Sequence, residues 1–263
     1  MSTTVTYKGQ TLTTVENETK TLTTGGTWVE GDITLTDVTQ GGGGGDASAI
    51  LDRSVVSISD STITTLGQFA LSRCTQLASI TFPNVTTIKA NALEYTALPT
   101  ITDANFGSLT RVEGTAFAFN TALTSVNLSD AFDVQSNTYI FRGCTNLLTA
   151  YLPNMMTGPW GIQRMFYGCT KLTTCDIGQS QGVGTESFSG CTALRTLIMR
   201  RTTVGVLGGW NASVMGGIFS NPTESTIYVP SALVSQYQQA SNWSSAYSAG
   251  VTFAPIEGSE YEL

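Results

Sequence analysis

The stretch CTQLASITFPN, residues 74–84, returns as CTNLLTAYLPN at 144–154. CTKLTTCDIGQ at 169–179 and CTALRTLIMRR at 191–201 keep the same plan. The anchor residues of successive units are Cys74, Thr96, Asn120, Cys144, Cys169 and Cys191, spaced by 22, 24, 24, 25 and 22 residues. A period of this size marks a solenoid, in which each unit buries its apolar face against its neighbours.

Each unit opens with a Leu: Leu77, Leu98, Leu123, Leu147, Leu172 and Leu194. Alternating apolar positions follow, such as Ile80 and Phe82, Val126 and Leu128, Ala150 and Leu152, Cys175 and Ile177, and Leu197 and Met199. That alternation predicts a short strand with one face in the core, and stacked units predict a parallel sheet. Phe69, Phe117, Phe141, Phe166, Phe188 and Phe219, with Leu93 in the second unit, are expected to stack on the far side. Cysteines at a fixed place in the repeat read as small buried residues, with a disulfide between neighbouring rungs the less favoured alternative.

The expected organisation has five parts. Residues 1–40 form a small antiparallel β-module, marked by alternation in DITLTDV at 32–38 and by Gly-containing turns. Residues 41–46, with five consecutive glycines, read as a flexible linker. Repeats occupy 47–225, and the insert GVLGGWNASVMGG at 205–217 interrupts them. A cap at 226–256 begins with the strand TIYVP. Ser231 can cap a helix that sets Leu233, Val234, Tyr237 and Ala240 on one side. The acidic tail EGSEYEL, 257–263, is expected to be mobile.

The lettering at 74–88 and 165–172, MFYGCTKL, resembles the BspA-type leucine-rich repeats, also called the Treponema pallidum type. The resemblance covers about residues 50–255 and extends to TIYVPSALVSQYQQASNW at 226–243, which is similar to the ending common in that family. It implies a mainly β fold: a leucine-rich-repeat solenoid with a parallel sheet and a short helical or irregular convex side. Two units lack the Cys, and Gly178 stands where the family has Pro, which points to irregular turns there. TLTTGGTWVEGDITLTDV, 21–38, resembles small β-modules of phage and prophage structural proteins.

Composition restricts the function. A net charge of −7 lacks the clustered Lys and Arg that nucleic acid demands. The chain has no histidine, which removes the commonest general base and metal ligand. No apolar stretch reaches the length of a membrane span. The N-terminus, MSTTVTYKGQT, does not read as a secretory signal. Asp130, Asp133 and Glu186 are carboxylates without an evident partner. The expectation is a protein that is not an enzyme, with no catalytic residues, no metal and no cofactor.

The two resemblances together imply a phage virion structural or adhesion protein, a tail or head fibre-like appendage. Its N-terminal module would hold other virion proteins, and its repeats would meet a host-surface glycan or protein. Homo-oligomerisation fits this picture, and membrane insertion does not. The alternative is a bacterial cell-surface or secreted BspA-like adhesin. The candidate contact surface is the outward side of the sheet, where Asn127, Tyr151, Asp176, Ile198 and Tyr228 interrupt a Thr- and Ser-rich row. Trp210 in the insert is the rival candidate.

Overall fold

A computed structural model describes residues 3–7, 10–14, 20–22, 28–30, 55–60, 63–135, 139–159, 161–207, 219–241 and 243–263. The repeats wind as stacked coils with three sides. On the first side, the strands Thr100–Thr102, Ser125–Asn127, Thr149–Tyr151, Thr174–Asp176, Thr196–Ile198, Thr226–Val229 and Thr252–Pro255 form a seven-stranded parallel sheet in chain order. The middle residue of each short strand, Ile101, Val126, Ala150, Cys175 or Leu197, points into the core. Its neighbours are mostly Thr and Ser, residues that suit the outer face of a pleated strand. The unit-opening leucines are all fully buried, as the alternation predicts.

The second side carries shorter strands: Thr65–Leu66, Thr87–Ile88, Arg111–Glu113, Asp133–Gln135 and Met156–Thr157. They form a five-stranded parallel sheet with Leu66, Ile88, Val112 and Val134 inward.

The third side is built from turns, yet its backbone still forms a ladder. Leu71, Leu93, Phe117, Phe141 and Phe166 each donate an N–H to the next rung, to Ala92, Ala116, Ile140, Met165 and Ser187, at 2.8–3.0 Å. Buried backbone groups thus find partners on all three sides. The ladder requires two left-handed residues per rung. Phe69, Asn91, Thr115, Tyr139, Arg164 and Glu186 hold the first position, with φ of 49° to 67°. Arg73, Tyr95, Phe119, Gly143, Gly168 and Gly190 hold the second, with φ of 55° to 82°.

Inside this third side, Phe117, Phe141, Phe166 and Phe188 stack with centroids 5.4–5.5 Å apart and planes within 10°. Phe69 does not join them. It occupies the left-handed position two residues earlier and is half-buried, while Leu71 fills the slot. Phe69, expected in the stack, thus lies two residues before the core slot of that unit.

The anchor position is more specific than its small size suggests. Cys144 Sγ donates to Phe117 O at 3.2 Å, Cys169 Sγ to Phe141 O at 3.1 Å and Cys191 Sγ to Phe166 O at 3.1 Å. Asn120 does the same through Nδ2, donating to Leu93 O at 2.9 Å. The slot takes a small side chain that can donate to the preceding rung, which is why Asn replaces Cys without breaking the stack. Threonine is used similarly outside the core. The hydroxyls of Thr110, Thr124 and Thr173 donate to the carbonyls of Thr86, Pro99 and Leu148 at 3.0–3.1 Å, tying rung to rung.

Both ends of the array are finished by other means. Thr3–Tyr7 pairs antiparallel with Gln10–Thr14 and with Val55–Asp60, which in turn runs parallel to Ser79–Thr81. The N-terminal hairpin therefore covers the edge of the first rung, which would otherwise present unpaired backbone. A second hairpin pairs Lys20–Leu22 with Trp28–Glu30. The expected linker at 41–46 lies outside the described residues. Between Ser79–Thr81 and Thr100–Thr102 the sheet pairing lapses. Asn105 patches the gap, donating from Nδ2 to Ile80 O at 2.9 Å and accepting from Thr102 N at 2.7 Å.

At the C-terminal end, helices α1 (Val234–Gln239) and α2 (Ser244–Ser248) link the last two strands. Leu233 and Tyr237 are buried, and Val234 and Ala240 pack partly against the core. Tyr237 Oη accepts from Gly205 N at 2.7 Å and Trp243 Nε1 donates to Gly205 O at 2.9 Å, so two large rings close the core without stranding a polar atom. Ser231 does not cap α1 as expected. It lies in a tight turn, Ser231–Leu233, ahead of the helix, and its own N–H donates to Glu257 Oε2 at 2.8 Å.

Candidate functional site

The parallel register places Thr102, Asn127, Tyr151, Asp176, Ile198 and Tyr228 in one row across the first side. The row is not uniformly open. Thr81 and Asn127 are exposed, and Thr102 and Tyr151 are half-buried. Asp176 and Ile198, expected to face solvent, are both 0% exposed. Two features of the C-terminal end account for this. Asp176 curls into its own turn, accepting from Gly178 N at 2.8 Å, and forms an ion pair with Arg200 at 2.7 Å. The tail then covers this end of the sheet. Arg200 donates to Tyr261 O at 2.8 Å, the Tyr261 ring stands edge-on to Tyr228 at 4.8 Å, and Glu257 holds Ser231. The tail expected to be mobile is thus docked, and Tyr228 is half-buried beneath it.

Gly178 makes the turn possible. Its φ is +55°, and a Cβ there would come within 2.3 Å of Leu152 O. Burial pushes the Asp176 carboxyl above its ordinary value, opposed by the Arg200 guanidinium and the Gly178 N–H. Arg200 also reaches Tyr151 Oη at 3.2 Å and lies 5.6 Å from that ring. Tyr151, Asp176 and Arg200 are therefore brought together as a structural clasp, with Ile198 between Asp176 and Tyr228 in the register. Asn127 stands apart on the open part of the row. Trp210 lies outside the described residues.

The carboxylates do not converge. Glu186 faces Arg164 at 2.7 Å, and Asp130 and Asp133 flank the buried Phe132 on a different side of the coil. All five cysteines are buried. Burial pushes the Cys144 thiol up to about 12 and raises Cys169 and Cys175 as well, so these thiols stay protonated rather than serving as nucleophiles. Among the described residues no three Cys, Asp or Glu side chains are placed to hold a metal ion. None of the described helices is long and apolar enough to cross a membrane.

A second exposed feature draws its residues from separate units. Along the third side, Arg73 sits 5.8 Å from the Tyr95 ring, and Tyr95 stacks on Phe119 at 4.7 Å. Arg142 approaches three rings, Phe119 at 5.3 Å, Tyr139 at 4.7 Å and Tyr167 at 5.6 Å. Arg164 approaches Tyr139 at 5.7 Å. Tyr95 and Tyr167 remain 39% and 37% exposed. Arg73, Tyr95 and Phe119 hold the left-handed position that later rungs give to glycine, at a cost of about 1–2 kcal/mol per residue. Phe119 also dictates the next rung, because a Cβ on Gly143 would lie 2.6 Å from its Cδ1. The signal in the sequence was the letter before each anchor, Arg, Tyr, Phe, Gly, Gly and Gly.

Residues 53–158 and 133–209 match the family described as BspA type leucine rich repeat region, in six copies. The matched segments span more than half of the chain, which therefore belongs to the BspA-type leucine-rich repeat family. The chain is similar to a leucine-rich repeat protein of Bacteroides ovatus ATCC 8483 solved by crystallography. They share 16% identity with a TM-score of 0.21, over 77% of this chain and 66% of that one. The chain thus spans slightly less than two thirds of that protein's length. No curated protein matches it.

Proposed function

We propose that the chain is a non-enzymatic adhesion protein of a phage particle, a tail or head appendage whose repeats meet a host-surface glycan or protein. The observation that carries the binding part is the outward row of the first side, where exposed Asn127 pairs in register with half-buried Thr102 and exposed Thr81 follows across the break in the sheet. Such a surface suits contact over an extended area rather than chemistry in a cleft. Membership in a repeat family supports the same reading. The likeness of residues 21–38 to phage β-modules supports the virion placement. In this reading the N-terminal region contacts other virion proteins beside the first rung, where its hairpin already pairs. Protein mass spectrometry of purified particles tests the placement. The expected result is this chain at a fixed copy number per particle. Its absence from particles, together with recovery from a cell-wall fraction, would replace the reading with a bacterial surface BspA-like adhesin.

A further inference from the structure

We infer that the strip running from Arg73 to Tyr167 on the third side is a separate binding site for a linear, sparsely carboxylated glycan. Its rings are not needed for the core, which has its own stack of Phe117, Phe141, Phe166 and Phe188. The first three rungs nevertheless keep Arg, Tyr and Phe at a backbone position where glycine is the unstrained choice and where the last three rungs use it. Retaining large side chains against that preference is a mark of function rather than of folding.

Charge decides the kind of partner. In a chain of net charge −7, Arg73 and Arg142 have neither a carboxylate nor a hydrogen-bond acceptor for their guanidinium groups among the described residues, only ring faces. Arg164, by contrast, is neutralised by Glu186. The two uncompensated cations lie three rungs apart, roughly 14 Å at ordinary strand spacing. The exposed part of Tyr95 lies between them, stacked on the half-buried Phe119. Widely spaced acids on a chain of sugar rings match that pattern: carboxylates meet the guanidiniums, and the sugars lie against the exposed edge of Tyr95, whose faces are taken by Arg73 and Phe119. The closely spaced phosphates of a nucleic acid would meet too few cations.

The proposal rests on the reading of the chain as a surface-binding protein, but not on its placement in a virion, so particle composition and glycan binding fail separately. Calorimetric titration of the full chain with hyaluronan oligosaccharides is the test. Dextran serves as the neutral control and a short single-stranded DNA as the phosphate control. Hyaluronan is expected to bind and to weaken with added salt, and dextran and DNA are not. Tyr95→Gly and Arg142→Gln should each reduce hyaluronan affinity roughly fivefold or more, while Tyr95→Phe and the sheet-face change Asn127→Ala leave it unchanged. Tyr95→Gly places at this position the residue used by later rungs, so its thermal midpoint should not fall. Equal affinity for hyaluronan and dextran, tighter binding of DNA, or unaltered affinity in both strip variants overturns the proposal. Loss of binding in Asn127→Ala alone would move the site to the sheet.

Discussion

The first three rungs and the last three share one scaffold but expose different things. Early rungs keep the sheet row open at Thr81, Thr102 and Asn127, and they carry Arg73, Tyr95 and Phe119 on the turn side. Late rungs close the sheet row with Asp176, Arg200 and the docked tail, and they hold glycine at the matching turn position, Gly143, Gly168 and Gly190. The repeat sets the coil, whereas a few variable letters decide which part of the coil meets solvent. The open sheet row lies in the first three rungs, and the strip of rings and guanidiniums runs on from them to Tyr167. The C-terminal half acts as the anchor, with the Phe stack, the thiol donors and the cap concentrated there.

The sharpest way to break this contrast is to remove one partner of the clasp. Asp176→Ala leaves the Arg200 guanidinium buried and unpaired, and the expected loss is about 3–5 kcal/mol in urea denaturation. Phe141→Ala, in the middle of the ring stack, should cost a comparable amount, about 3–5 kcal/mol by the same measurement, because it opens a cavity between two rungs. If Asp176→Ala proves neutral, the late rungs are not held by the clasp.

Ending the chain after Ile256 tests the tail. Arg200 loses the Tyr261 carbonyl and Ser231 loses Glu257, with an expected cost of about 1.5–3 kcal/mol for the charged hydrogen bond. Amide exchange should rise over 196–200 and 226–229 and stay unchanged over 79–127. Uniform exchange along the array would contradict the division into open and covered halves.

The thiols give a pH signature. In the unfolded chain a cysteine ionises near its ordinary value of 9.0, whereas buried Cys144 stays protonated up to about 12. The folded pKa is the higher one, so its contribution is fully present below pH 9 and is lost as pH rises toward 12. Denaturation midpoints should therefore fall across that window, and Cys144→Ala should flatten the fall. Native protein at pH 8 should resist thiol reagents at all five cysteines. The smallest effect is expected on the open row, where Asn127→Ala should change stability by no more than about 0.5 kcal/mol.

The repeat period, the inward Leu positions and the strand alternation were legible without coordinates, because burial on one face imposes a period of two on each strand and a fixed length on each unit. The covering of Asp176 and Ile198 was not legible. Their places in the repeat are those of exposed residues, and only contacts with Arg200, Gly178 and a tail some 60 residues further along bury them. The strip on the third side was hidden for a related reason. Arg73, Tyr95, Phe119 and Arg142 come from separate units and meet only when the coils stack. The misplacement of Phe69 shows the limit of residue type as a guide, since the turn backbone, and not the aromatic letter, assigns the core slot.

Thus the amino-acid sequence by itself determined the solenoid, its family lettering and the residues of its core, since these follow from local spacing repeated many times. Tertiary structure alone decided which parts of that solenoid remain accessible. Accessibility depends on contacts between residues tens of positions apart, and a periodic pattern carries no record of where a tail docks or where a ring meets a guanidinium in the next coil.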